Sequence, residues 1–186
     1  AIETSCDDTG LALIETDSKS RIKILANLVS SQIETHRPWG GVVPNLAKRE
    51  HQKNLPILWQ KLLTQIPFQT PLQKDSISKR SYTNAAFDKS NPNVDLIAIT
   101  QGPGLAPCLW AGINFAQELS QKLRVPLVGI NHLKGHIYIA LSELVNPKLQ
   151  KPNYKQTTNS KFQIPNPDRF PVLSLIVSGG HTQLVF

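Results

Sequence analysis

Apolar residues along this chain fall into short runs and spaced sets, never into one long block. Ala1 to Thr4, Leu11-Ala12-Leu13-Ile14 and Ile22 to Val29 read as strands, and their close succession predicts an antiparallel meander. A helix is expected to open near Pro44, where a proline is tolerated in the first turn, and to carry Leu55, Leu58 and Leu62 on one face. Pro56 falls inside that helix and is expected to kink or break it. Val94 to Thr100 predicts the next strand, which leads through Gln101-Gly102-Pro103-Gly104 into a helix over Leu105 to Leu123. Val125 to Ile130 predicts a further strand, and Asn131 is placed to cap a helix from His132 to about Leu144. A last strand is expected over Val172 to Val177. The alternation of strands and helices is that of an α/β layered fold.

One pattern recurs. Ser5-Cys6-Asp7-Asp8-Thr9-Gly10-Leu11 and Ser178-Gly179-Gly180-His181-Thr182-Gln183-Leu184 share Ser-x-x-x-Thr-x-Leu spacing, and each joins one apolar strand to the next. The spacing suggests a duplicated β-turn-β loop, with the second copy opening a second lobe.

Charge adds little to the fold but separates its parts. Of the net +7, residues 66–93 supply four basic against two acidic side chains, and residues 145–171 supply five against one. Both stretches are polar, lack helical or alternating periodicity, and read as surface loops or linkers. A solvated loop and a contact with a polyanion such as RNA both fit them. The rest of the chain is nearly neutral.

The 186 residues are 40% hydrophobic, which suits a folded core and excludes a disordered or collagen-like polymer. No run approaches the ~20 apolar residues of a membrane span, and no signal pattern opens the chain. Cys6 and Cys108 lie far apart without a CxxC spacing, which argues against a zinc knuckle or disulfide framework and favours a reducing cytosol. The chain has no methionine and both ends lie inside expected strands, so a piece of a longer protein is expected.

Several segments could carry chemistry. His132-Leu133-Lys134-Gly135-His136 puts two imidazoles one helical turn apart, either as half of a metal site or as a chance pair on a solvated face. Leu133 stands where a zinc protease motif needs glutamate. Ser178 to Thr182 contains two adjacent glycines whose N–H groups suit phosphate oxygens, or form an ordinary hairpin turn. Gly102-Pro103-Gly104 precedes a helix and either places a phosphate at its N-terminus or serves as a structural turn. Asp7 and Asp8 follow a strand end, where carboxylates hold a metal–phosphate unit, orient a nucleophile or cap the turn. His36 and His51 flank Gly40-Gly41-Val42-Val43-Pro44, and each alone reads as structural.

Taken in order, Ile2 to Thr9, His36 through Val43-Pro44 to His51, Thr100 to Leu105, His132 to His136 and Val177 to Leu184 resemble the tRNA adenosine threonylcarbamoyltransferase family, formerly called O-sialoglycoprotein endopeptidases. The resemblance covers roughly the first half of such a protein. It implies an actin/Hsp70/sugar-kinase-like, ribonuclease H-like fold of two lobes. Residues 1–144 would form the first lobe with a polar insertion at 66–93, residues 145–171 a basic Pro-rich linker, and residues 172–186 the first hairpin of the second lobe.

The implied reaction moves threonylcarbamoyl from threonylcarbamoyl-AMP to N6 of adenosine 37 in tRNAs that read codons starting with A. His132 and His136 would be two ligands of one divalent ion, Fe(2+) before Zn(2+), and Ile176, Val177, Ser178, Gly179 and Gly180 would line the adenylate site. Asp7 and Asp8 would be the acidic residues near the reaction centre. The family's aspartate metal ligand and much of its nucleotide pocket belong to the second lobe, so this chain alone is expected to be inactive. Partners implied are tRNA, a paralogous dimer subunit and an ATPase subunit of the threonylcarbamoylation complex, in the cytoplasm and away from membranes. Alternatives are the family's non-catalytic paralogue, which usually lacks the paired histidines, and a kinase of the same fold, in which they have no role. The chain departs from the family at Asp8 and Asn45, where glutamate is common, and at Lys48, where serine is common.

Overall fold

The computed structural model describes residues 1–16, 21–65, 94–145, 161–163, 174–177 and 182–185. Strands β1 (Ile2–Glu3), β2 (Asp8–Thr16) and β3 (Arg21–Ser31) form the expected antiparallel meander. A helical turn α1 (Ile33–His36) and a 3-10 turn (Arg37–Trp39) lead to helix α2 (Pro44–Gln65). Then come β4 (Ile97–Gly102), α3 (Ala106–Leu123), β5 (Leu127–Asn131), α4 (His132–Val145), β6 (Lys161–Gln163), β7 (Ser174–Val177) and β8 (Thr182–Val185).

Six strands make one sheet in the order β5-β4-β1-β2-β3-β6. β4 runs parallel to both β1 and β5, while β2, β3 and β6 continue the sheet antiparallel on the other side. β1 is short but central: it is where the antiparallel half meets the parallel half.

Helices α2 and α3 cover one face of this sheet. Alternate strand residues Ile2, Leu11, Ala26, Leu28, Ile97 and Ile99 point at Leu55, Leu58 and Leu62 of α2 and at Ala116 and Leu119 of α3. The apolar stripe of α2 is Ala47, His51, Leu55, Leu58 and Leu62, spaced three or four residues apart, so a histidine occupies a core position. Contrary to expectation, α2 runs unbroken through Pro56. Pro56 lies on the exposed side, and the carbonyl it leaves without a donor belongs to Gln52, also exposed, where water can replace the lost bond.

Two expectations shift. The strand predicted from Val94 begins at Ile97 and extends to Gly102, pairing Gly102 with Asn131 after a register shift. Part of the stretch read as loop, residues 145–171, is strand: Lys161-Phe162-Gln163 pairs antiparallel with β3, Phe162 opposite Ile22. Its polar-apolar-polar alternation is a strand pattern too short to detect beside so many polar neighbours. The rest of that stretch and the insertion at 66–93 lie outside the described residues.

Strands β7 and β8 form a separate two-stranded sheet, and its pairing repeats that of β1 and β2. Leu175 faces Leu184 and Ile176 faces Gln183, as Ile2 faces Leu11 and Glu3 faces Gly10. In these two facing pairs the register of the two hairpins is the same, as the duplicated spacing suggests. Where the first copy carries Glu3, Asp7 and Asp8, the second carries Ile176, Gly180 and His181.

Candidate functional site

Strands β1, β4 and β5 are parallel and end at the same edge of the sheet, and each ends in one of the segments singled out above. β1 delivers Glu3 and the Thr4 to Asp7 loop, β4 delivers Thr100 and Gly102-Pro103-Gly104, and β5 delivers Asn131 and His132. Antiparallel β2 starts there with Asp8. Ligands of open α/β sheets bind outside the carboxyl ends of parallel strands, where the chain turns to opposite sides, and β1 with β4 forms such a point. On the face away from α2 and α3, a groove of about 390 Å³ runs to this edge, with Glu3, Asp8, Gly10, Asn27, Val29 and Thr100 among its lining residues.

Helix α4 starts at this edge because Asn131 Oδ1 accepts the Lys134 N–H at 3.1 Å, an N-cap bond to the third helical residue. The cap fixes His132 at the first helical position and His136 one turn on. Their rings meet edge to face with centroids 4.5 Å apart, and the two Nε2 atoms are 3.1 Å apart. Two nitrogen ligands each ~2.0–2.1 Å from a tetrahedral ion would be separated by about this distance. The donor pair therefore fits one borderline-soft divalent ion held through both Nε2 atoms. Among the described residues no third histidine, cysteine, aspartate or glutamate joins them in a group.

The other ring nitrogen of His132 faces inward. His132 Nδ1 lies 3.2 Å from Glu3 Oε2 and 3.2 Å from Ser5 Oγ. Glu3 Oε2 also accepts the Thr100 hydroxyl at 2.5 Å, and Glu3 Oε1 accepts the Ser5 N–H at 2.6 Å. Burial pushes the Glu3 carboxyl up, but bonds from Thr100, from the Ser5 hydroxyl and N–H, and from His132 outweigh it and hold the group below its ordinary value. Glu3 thus sits ionised between three strand ends. Sequence reading missed it, although a carboxylate closing an apolar strand is a signal in itself, since it needs partners there.

The loop after β1 is held from below. His51 is fully buried; its Nε2–H donates to the Cys6 carbonyl at 3.0 Å, and its Nδ1 lies 2.8 Å from Thr9 Oγ1. Because a carbonyl only accepts, Nε2 carries the proton; Nδ1 also lies 3.4 Å from the Gln32 Nε2 amide, which can only donate, so Nδ1 is the acceptor and the ring is neutral. Burial lowers the His51 pKa, only partly opposed by the Cys6 carbonyl and the negative charges of Glu3, Asp7 and Asp8. The network extends outward: Gln32 Oε1 accepts from His36 Nε2 at 3.0 Å, and His36 Nδ1 accepts the Val43 N–H at 3.3 Å. His36 and His51 are buried structural groups that tie the Pro44 turn to the Cys6 loop.

Gly104 explains the Gly102-Pro103-Gly104 turn. A Cβ there would come within 2.6 Å of the Ser5 carbonyl oxygen, and the next residue, Leu105, donates its N–H to the same oxygen at 2.7 Å. The glycine lets two strand-end loops touch. Gly112 of α3 does the same against the side chain of Thr4.

Of the residues singled out as catalytic, Asp8 is exposed as the first residue of β2 and Asp7 is half-buried in the loop before it. Both therefore border the edge that carries the histidine pair. Ile176 and Val177 end β7, while Ser178, Gly179 and Gly180 lie outside the described residues.

A family model described as tRNA N6-adenosine threonylcarbamoyltransferase matches residues 23–77 and 80–154. The chain belongs to the tRNA N6-adenosine threonylcarbamoyltransferase family. Relatives of that name include proteins of Dictyoglomus turgidum, 40% identical over 184 residues, and Thermosipho melanesiensis, 39% identical over 184 residues; each alignment takes in 99% of this chain. The Bacillus anthracis relative is 36% identical over 185 residues. The chain spans about two fifths of the length of the relatives it matches, 40–42% in these three.

The three positions expected to differ from the threonylcarbamoyltransferase family lie at the surface, not on the histidine pair. Asp8, Asn45 and Lys48 are all exposed. Among the described residues no helix is long and apolar enough to cross a membrane.

Proposed function

We propose that the full-length protein transfers the threonylcarbamoyl group from threonylcarbamoyl-AMP to N6 of adenosine 37 in tRNAs that read codons starting with A. The observation that carries this reading is the meeting, at one sheet edge, of the Glu3 to Asp8 loop, the Thr100 to Gly104 turn and the His132/His136 pair. The relatives' names support the reaction class, and the convergence of these segments at one edge supports locating it there.

This chain would form the first lobe of a ribonuclease H-like, actin-type pair, with the repeated β7–β8 hairpin opening the second. His132 and His136 would hold one divalent ion, iron before zinc, with remaining ligands from the second lobe. When bound, the ion supplies Lewis-acid polarisation and a template for an anionic substrate. The loop of Ile176 to Gly180 would hold the adenylate. Asp7 and Asp8 would orient the incoming amine at the rim. The amine nitrogen attacks the carbamoyl carbon, the bond from that carbon to the phosphate oxygen breaks, AMP leaves with the electron pair, and the nitrogen loses a proton. Because the mixed anhydride is already activated, positioning supplies much of the rate.

A cytoplasmic setting, a paralogous dimer partner and an ATPase subunit complete the proposal, and the chain by itself would be inactive. The test combines full-length protein, those partners, threonylcarbamoyl-AMP and tRNA, and scores modified adenosine by mass spectrometry. Time-dependent modification above a control lacking the protein is expected. Modification equal to that control would remove the transferase reading.

A further inference from the structure

Glu3 touches neither of the Nε2 atoms that would bind an ion, yet it is the best-connected side chain at the edge. It receives the Thr100 hydroxyl and both the N–H and the hydroxyl of Ser5, and it faces His132 Nδ1. We propose that Glu3 is a positioning residue for the metal site: it fixes His132 in the Nδ1–H tautomer and aims its Nε2 lone pair at the point facing His136. The inference rests on the metal reading above.

A neutral imidazole has one protonated and one free nitrogen, and only the free one can bind a cation. The carboxylate selects which. With Nδ1–H donated to Glu3 Oε2, the Nε2 lone pair faces outward, where His136 Nε2 stands 3.1 Å away. A carboxylate that accepts from the far nitrogen of a ligating imidazole also fixes the ring's orientation, as in carboxylate–histidine–metal sites generally. Thr100 and Ser5 in turn hold the carboxylate, so its direction is set by two strand ends and not by the helix that carries the histidines. The first helical turn alone would leave His132 free to flip. The second hairpin has Ile176 at the place of Glu3, so the orienting carboxylate belongs to the first copy of the loop.

The test uses metal-stripped full-length protein and measures Zn(2+) affinity by chelator competition, with the Co(2+) ligand-field spectrum as a second readout. Variants are Glu3→Gln, Glu3→Ala, Thr100→Val and the double variant His132→Ala/His136→Ala. Changes to such supporting carboxylates commonly cost 10–100-fold in affinity, so Glu3→Ala is expected to lose about that much and to shift the Co(2+) bands, with Glu3→Gln losing less. Thr100→Val keeps the carboxylate but removes its donor; it should weaken Zn(2+) in the same direction, and it gives the answer if Glu3→Ala does not fold. Wild-type affinity and spectrum in folded Glu3 and Thr100 variants would overturn the role of Glu3. If wild type binds Zn(2+) no better than the double variant, the metal reading itself fails, and the two failures are told apart.

Discussion

Thr9 Oγ1 lies 2.8 Å from His51 Nδ1, inside the core, while the opposite nitrogen of the same ring donates to the Cys6 carbonyl. This arrangement suits a neutral imidazole, because a second ring proton on Nδ1 would face the Gln32 Nε2 amide, itself a donor, 3.4 Å away, and would put a charge in the core. Burial lowers the His51 pKa from its ordinary 6.5. In the unfolded chain His51 takes a proton near pH 6.5, whereas in the folded chain it does so only at lower pH. The stabilising contribution is therefore complete above about pH 6.5 and is lost as pH falls toward the folded value.

Urea unfolding at pH 7.5, 6.5 and 5.5 should show this loss, at a slope of at most about 1.4 kcal/mol per pH unit for one proton. His51→Gln, which cannot titrate, should flatten that component while lowering stability at pH 7.5. Identical slopes in the two proteins would show that His51 is not the group responsible.

Gly104→Ala is expected to destabilise by about 1–3 kcal/mol, since the added methyl meets backbone atoms of Ser5 that cannot rotate away. Gly41→Ala is the control: nothing lies within 4 Å of its Cβ position, and its φ is not positive. Thermal unfolding of both should separate them clearly. Equal melting temperatures for Gly104→Ala and Gly41→Ala would mean that the close approach of the two loops is not a constraint.

Much of this fold was legible because local and global signals agree. The meander, the α3 and α4 helices and the Asn131 cap follow from apolar spacing and capping chemistry, and the repeated Ser-x-x-x-Thr-x-Leu pattern does correspond to two hairpins of one register. Strand β6 was not legible, because an alternation of three residues is too short to stand out and its pairing with β3 is a long-range event. The unbroken course of α2 was missed for a related reason. Whether a proline breaks a helix depends on what surrounds the orphaned carbonyl, and a one-dimensional pattern does not say that Gln52 faces solvent. At the site the histidine pair was visible from its spacing. Glu3 and Thr100 were not, since the residues are 97 apart in sequence and meet only when β1 pairs with β4.

Among the described residues Thr4 Oγ1 is buried with no hydrogen-bond partner, and it lies against Gly112 of α3. A buried hydroxyl without a partner carries a desolvation cost that an isosteric methyl does not. Thr4→Val should therefore raise stability, by up to about 1–2 kcal/mol, as read from urea midpoints at constant m-value. A loss of more than about 1 kcal/mol would show instead that the hydroxyl has a partner, such as an internal water.

Cys6 reaches solvent, yet its thiol is pushed up to about 11, first by partial burial of the group, then by a hydrogen bond to Asp7 and by the charges of Asp7, Cys108 and Asp8. Only the thiolate is an efficient nucleophile, so exposure alone does not make this cysteine reactive. At pH 7.5 alkylation of Cys6 by iodoacetamide should run roughly 100-fold or more slower than for an unperturbed cysteine, whose pKa is near 8.5. The rate should keep climbing well beyond pH 9. Asp7→Asn removes a full negative charge beside the sulfur and should speed alkylation at pH 7.5, whereas Asp95→Asn, before β4, should not. Peptide mass spectrometry separates Cys6 from the buried Cys108, whose thiol is likewise pushed up to about 11 by burial and Asp7. Rapid alkylation of Cys6 at neutral pH, unchanged in Asp7→Asn, would mean that the Asp7 carboxylate does not face the thiol.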